Sequence, residues 1–348
     1  MKGVRLIVVL ISLMLLSAFI LAGEEMERSL SLNFQGGYTF GNQEGYGIDG
    51  GFAPISYEVV DSSSLSHRSD DPGRDLGTTW GGIQAKASVS YKMKMPFLVG
   101  EGPLFSENNM EMVLKGELSP VSVNAIASFT MTPIALLKFN MGAAAGTGWN
   151  LGFNGLGRNL PGLSYTSVQS EPFSGVVYSI WASSTLQFDF GAVIPGKWSH
   201  VVVAFVPKVE YRAFSGADND TPWEYEADGG ENFNGWKLFT TSVLGYQMPL
   251  VLDMVGILVD TEQYIDSNRD RSTMASGGWG SDFVTMDFGP LFNFKFGKRQ
   301  NLTVLLQFKN GKDYTDATIG NRFFEYRVYE NTYYYLYRLA FSYTYNIK

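Results

Sequence analysis

Tyr333-Tyr334-Tyr335-Leu336-Tyr337-Arg338-Leu339-Ala340-Phe341-Ser342-Tyr343-Thr344-Tyr345-Asn346-Ile347 decides the fold. Tyr333, Tyr335, Tyr337, Leu339, Phe341, Tyr343, Tyr345 and Ile347 share one parity, and Arg338, Ala340, Ser342, Thr344 and Asn346 share the other. Successive side chains of a strand point to opposite faces, so this segment reads as a strand with one apolar, aromatic face and one polar face.

The same two-residue rhythm recurs along the chain. Ile83, Ala85, Ala87, Val89, Tyr91, Met93 and Met95 alternate with Gln84, Lys86, Ser88, Ser90, Lys92 and Lys94. Val201, Val203, Phe205, Pro207, Val209 and Tyr211 oppose Lys208, Glu210 and Arg212. Twelve strands are predicted, at about 29–40, 81–97, 108–118, 121–131, 134–144, 174–190, 199–213, 236–247, 250–264, 282–296, 301–310 and 332–347. Between them, long and short connectors alternate. The short ones include Met131-Thr132-Pro133, Val193 to Trp198, Met248-Pro249 and Gly297 to Gln300; Ser119-Pro120 is short where the alternation asks for a long loop. Loop 1 (41–80) and loop 3 (145–173) are rich in Gly, Ser and Asn and long enough to fold over or into a mouth.

The N-terminus sets the compartment. Lys2 and Arg5 precede an apolar run from Leu6 to Ile20, followed by the small residue Ala22. Residues 1–22 therefore read as a secretory signal peptide and 23–348 as the mature domain. The chain has no cysteine, so no disulfide framework is available outside the cell. No later segment is long and apolar enough for a spanning helix, so a membrane role falls to strands. A soluble sandwich would turn its apolar faces inward. Secretion, strands longer than soluble sheets use, alternating connectors, and Trp80, Trp149, Trp198, Trp223, Trp236 and Trp279 at strand ends or in loops favour the reverse arrangement. The expected fold is all-β: a single transmembrane antiparallel β-barrel of about 12 strands, both termini periplasmic.

With polar faces inward, the lumen collects Lys86, Lys92, Lys94, Lys115, Lys138, Lys208, Arg212, Lys237, Lys295, Lys309 and Arg338 against Glu111, Glu117, Asp189, Glu210, Asp253 and Asp287. The lumen is expected to be net basic although the chain carries −8. The acid excess falls in the loops, notably Asp218, Asp220, Glu224, Glu226, Asp228 and Glu231. Positive potential focused in a narrow lumen favours anions. The expected function is a narrow passive channel lined by Lys86, Lys92, Lys115, Lys208, Glu210, Arg212, Lys295 and Arg338. Two alternatives stand beside it: a non-conducting adhesin or structural barrel, and a surface hydrolase using His67 in the Ser64–Asp71 stretch of loop 1.

No spacing fixes a catalytic triad, so no catalytic residue is assigned. Asp266-Ser267-Asn268-Arg269-Asp270 has calcium-loop spacing but places Arg271 where glycine is needed and Gly277 where glutamate is needed. No metal, cofactor or nucleic-acid partner is expected. The expected partners are outer-membrane lipid, the barrel-assembly machinery and small anionic solutes.

The whole mature chain resembles the bacterial outer-membrane β-barrel class, porin-like, in its signal peptide, dyad repeat and aromatic terminal strand. It departs at the end: such barrels commonly finish on an aromatic residue, and this chain finishes Asn346-Ile347-Lys348. In strand number and basic lumen it is similar to the narrow twelve-stranded channels for acidic oligosaccharides. The resemblance implies an outer-membrane location and assembly through the terminal strand.

Overall fold

The computed structural model describes residues 26–40, 82–151, 155–159, 168–218, 221, 223–226, 232–265, 284–315 and 328–347. The signal-peptide reading of 1–22, loop 1 with His67, and the Asp266–Gly277 stretch lie outside the described residues. Twelve strands close into one antiparallel barrel. They are β1 (Glu27–Thr39), β2 (Gly82–Pro96), β3 (Asn109–Leu118), β4 (Ser122–Ile134), β5 (Leu137–Gly148), β8 (Val177–Asp189), β9 (Val201–Phe214), β11 (Gly235–Gln247), β12 (Leu252–Tyr264), β13 (Thr285–Phe296), β14 (Gln300–Thr315) and β15 (Val328–Asn346). Each predicted strand is present to within a few residues at most ends. The aromatic strand β15 closes the barrel against β1, from Ser31↔Asn346 to Thr39↔Arg338, so no wall strand is left as a sheet edge. The other short strands, β6 (Leu156–Asn159), β7 (Val168–Ser170) and β10 (Trp223–Tyr225), form a separate three-stranded sheet.

The facing settles the solvent. Phe34, Val89, Met141, Leu186, Phe205, Leu244, Phe341 and Ile257, the last 54% exposed, point out from different wall strands. Ser88, Asn293, Gln307 and Arg338 point in and are buried. An apolar belt around a closed wall has no counterpart in a water-soluble protein and matches a hydrocarbon slab. This is an outer-membrane β-barrel. Trp198 and Trp236 are exposed at opposite ends of the wall, where an interfacial girdle places them. The seventh tryptophan, Trp181, departs from that pattern. It points inward over Gly142, where a Cβ would meet its ring, and its Nε1 donates to Asn140 Oδ1 at 2.8 Å.

Three departures from simple alternation matter for the lumen and the turns. In β15 the register slips between Arg338↔Gln307 and Leu336↔Phe308, leaving Tyr337 as an extra residue. A bulge puts two consecutive side chains on one side, and parity inverts beyond it. Tyr337 and Arg338 are therefore both inward and 1% exposed, whereas Tyr334 is 60% exposed on the outer face. The expectation that Tyr333, Tyr335 and Tyr337 share the lipid face with Phe341 is corrected accordingly. A second slip, between Leu252 and Met254, makes Asp253 the extra residue of β12. Finally, Pro133 belongs to β4 rather than to the turn. Pairing slips between Met131 and Ile134, which accommodates the missing N–H, and Ala135-Leu136 make the turn.

Candidate functional site: a charged lumen under a cap

The eight expected lining residues all lie on inward faces, where close partners hold them. Glu117 is shared by Lys86 at 3.1 Å and Lys115 at 2.5 Å. Lys92 pairs with Glu111 at 3.0 Å, Lys208 with Glu210 at 2.6 Å, and Lys295 with Asp253 at 2.8 Å. Arg338 Nε donates to Gln307 Oε1 at 2.7 Å.

Two lumen acids escape sequence reading. Asp260 accepts from Thr241 Oγ1 at 2.5 Å, and Glu262 pairs with Lys237 at 2.5 Å. Their parity is opposite to that of Asp253, so a single alternation cannot send all three inward. The bulge at Asp253 does so. The lumen is consequently less basic than the expected set implies.

Its cations share a second feature. Lys208 Nζ lies 3.9 Å from the Phe239 ring centroid, and Lys237 Nζ lies 4.7 Å from that of Tyr264. Lys309 Nζ and Arg338 Cζ lie 4.9 and 5.0 Å from the Tyr337 centroid. Arg212 Cζ lies 5.6 Å from Trp223 and 5.8 Å from Tyr225. Ring faces carry negative quadrupole, so each holds a cation without neutralising it. These cations come from β9, β11, β14 and β15, one arc of the wall. The facing arc of β4, β5 and β8 presents small and neutral polar residues, among them Asn124, Ser128, Gly142, Gly146, Ser179 and Ser183.

Above this lumen sits a cap made from two loops. Strands β6 and β7 come from the connector after β5, and β10 from the connector after β9. Leu156, Trp223 and Tyr225 of the cap pack with Val177 and Phe214, the inward residues at the loop end of β8 and β9. Arg158 joins β6 to the adjoining chain through Glu171 at 2.9 Å. Part of loop 3 thus does fold into the mouth, joined by the acidic loop 4. The cap is tied to the wall by polar contacts. Tyr225 Oη donates to Asn124 Oδ1 at 2.8 Å, and Glu226 Oε1 accepts from Ser122 Oγ at 2.6 Å and Asn124 Nδ2 at 2.7 Å. Burial, reinforced by the neighbouring Glu226 charge, pushes the Tyr225 phenol well above its ordinary range, so it stays a donor at physiological pH. Only the acidity of loop 4 was legible in sequence.

At the opposite end, His200 Nδ1 meets Asp189 Oδ2 at 2.7 Å beside the β8–β9 turn. Among the described residues no group of three or more His, Cys, Asp and Glu side chains could hold a metal ion.

No protein-family model and no curated protein matches the chain. Solved structures similar to it include the KdgM porin, with 6% identity over 91% of this chain and 99% of that one at TM-score 0.36. Others are the outer membrane channel DcaP of Acinetobacter baumannii (7% identity, 94% and 98% covered, TM-score 0.35) and the Salmonella typhi outer membrane phospholipase (10%, 91% and 90%, TM-score 0.30). The functional reading rests on the geometry of this barrel itself.

Proposed function

We propose that the protein is a narrow, passive outer-membrane channel with a mild preference for anions. Its short turns face the periplasm, and its long loops and cap face outward. Lys86, Lys92, Lys115, Lys208, Glu210, Arg212 and Lys295 line the path; Arg338, with Lys237 and Lys309, lies buried in the inner layer of the wall and acts on the path through its field. The observation that carries the reading is the cationic arc, where lysine and arginine from β9, β11, β14 and β15 lie over aromatic rings. A ring contact by itself leaves positive potential available to a passing anion; Lys208 and Lys237 also pair with Glu210 and Glu262, so the field is that of the small basic excess of the inward faces as a whole. The acids Asp260, Glu262 and Glu210 keep the preference mild and the lumen tolerable to fold.

The test is planar-bilayer reversal potential in a salt gradient. Anion preference is expected, and Lys208→Glu with Arg212→Glu should shift it toward cations. Clear cation preference in the unmodified protein would refute the reading. Silence under every condition, including removal of the cap's tie to the wall, would favour a non-conducting adhesin or structural barrel.

A further inference from the structure

Glu226 is one of three non-glycine residues with positive φ among the described residues, at 59°. Such a backbone is strained for a residue with a Cβ and persists only where its surroundings hold it. The cap around it is seated by the packing of Leu156, Trp223 and Tyr225 on Val177 and Phe214, and Glu226 adds polar bonds of its own. The Glu226 N–H donates to Gly155 O at 3.0 Å, and its carboxylate is taken by Ser122 Oγ and Asn124 Nδ2. Ser122 is fully buried and Glu226 is 6% exposed. The receptor is shaped for this occupant. A Cβ on Gly146 would collide with Tyr225 Oη and Asn124 Oδ1, and one on Gly155 would collide with Val121 O. A second hydroxyl, Ser119 Oγ, lies 2.8 Å from Ser122 Oγ and extends the polar pocket.

The donors are all neutral. Within the cap, Arg158 and Glu171 make a charge-to-charge contact, but the carboxylate that ties the cap to the wall is held by a hydroxyl and an amide. Both bonds are charge-assisted through the carboxylate, but among the described residues no cation adds an ion pair to them. Neutral donors holding a strained residue describe an exchangeable contact.

We infer that Ser122 and Asn124 form a carboxylate-binding subsite at the mouth, occupied in the resting protein by Glu226 of the cap and available to a carboxylate-bearing solute once the cap lifts. Lifting also withdraws Trp223 and Tyr225 from Arg212, which exposes the first cation of the lumen arc. The subsite deepens the anion-channel reading and rests on it.

The test uses Glu226→Gly, which removes the carboxylate and relieves the positive φ, so the fold is expected to hold; tryptophan fluorescence and heat-modifiable migration check that it does. In bilayers this variant should conduct severalfold more than wild type in chloride. Replacing chloride by acetate at constant ionic strength should lower its conductance by a larger factor than in wild type. Adding Ser122→Ala and Asn124→Ala should abolish that extra sensitivity. Glu226→Gln, which keeps a carbonyl acceptor for both donors, should stay closer to wild type. Conductance unchanged in a folded Glu226→Gly would overturn the latch and leave the anion channel standing. An open variant with acetate sensitivity unaltered by the Ser122 and Asn124 changes would overturn the subsite. An open variant preferring cations would overturn the channel reading and leave the latch.

Discussion

Glu262→Gln asks whether the lumen wall is dry beside β11 and β12. Lys237 and Glu262 are 3% and 13% exposed, and Nζ lies 2.5 Å from Oε1. At that separation the gross attraction is about 7 kcal/mol for an effective dielectric of ~20, but only about 2 kcal/mol if bulk water screens it. Desolvation offsets part of the first figure. Removing one partner of a buried pair nevertheless costs roughly 3–5 kcal/mol, because the remaining charge is stranded. Glu262→Gln should therefore destabilise the barrel by about 3 kcal/mol, while Lys237→Met with Glu262→Leu should return to within about 1 kcal/mol of wild type. The assay is reversible urea unfolding in lipid vesicles, followed by tryptophan fluorescence. If Glu262→Gln costs less than about 1 kcal/mol, the pair sits in bulk-like water and the argument from a dry wall fails.

The bulge at Tyr337 makes a reversed labelling pattern testable in this cysteine-free chain. A label at Tyr334→Cys should be reached by lipid-soluble quenchers and one at Tyr335→Cys by aqueous ones; the opposite result would restore uninterrupted alternation. On the outer belt, Ile257→Arg should cost roughly 2–4 kcal/mol if that position lies at the bilayer midplane, with Ile257→Leu near neutral. Equal folding free energies for the two would move Ile257 out of the hydrocarbon.

Alternation is local. Each wall strand has to satisfy two solvents at a spacing of one residue, so its existence, its ends and most of its facing are written in consecutive side chains. That is why the twelve strands, the alternating connectors and the inward placement of Lys86, Lys208 and Arg338 were legible from sequence. A bulge inserts one residue without marking composition, so the inversions at Asp253 and Tyr337 emerge only from pairing with β13 and β14. The same inversion hid Asp260 and Glu262 and made the lumen look more basic than it is. The cap is less legible still. Its strands β6, β7 and β10 are 4, 3 and 3 residues long, too short to show a period. Its contacts join Ser122 to Glu226 across 104 residues. Composition shows loop 4 only as acidic. Closure of the barrel brings the ends of β4, β5, β8 and β9 around one mouth, and only that convergence turns an acidic loop residue into a buried carboxylate with its own receptor.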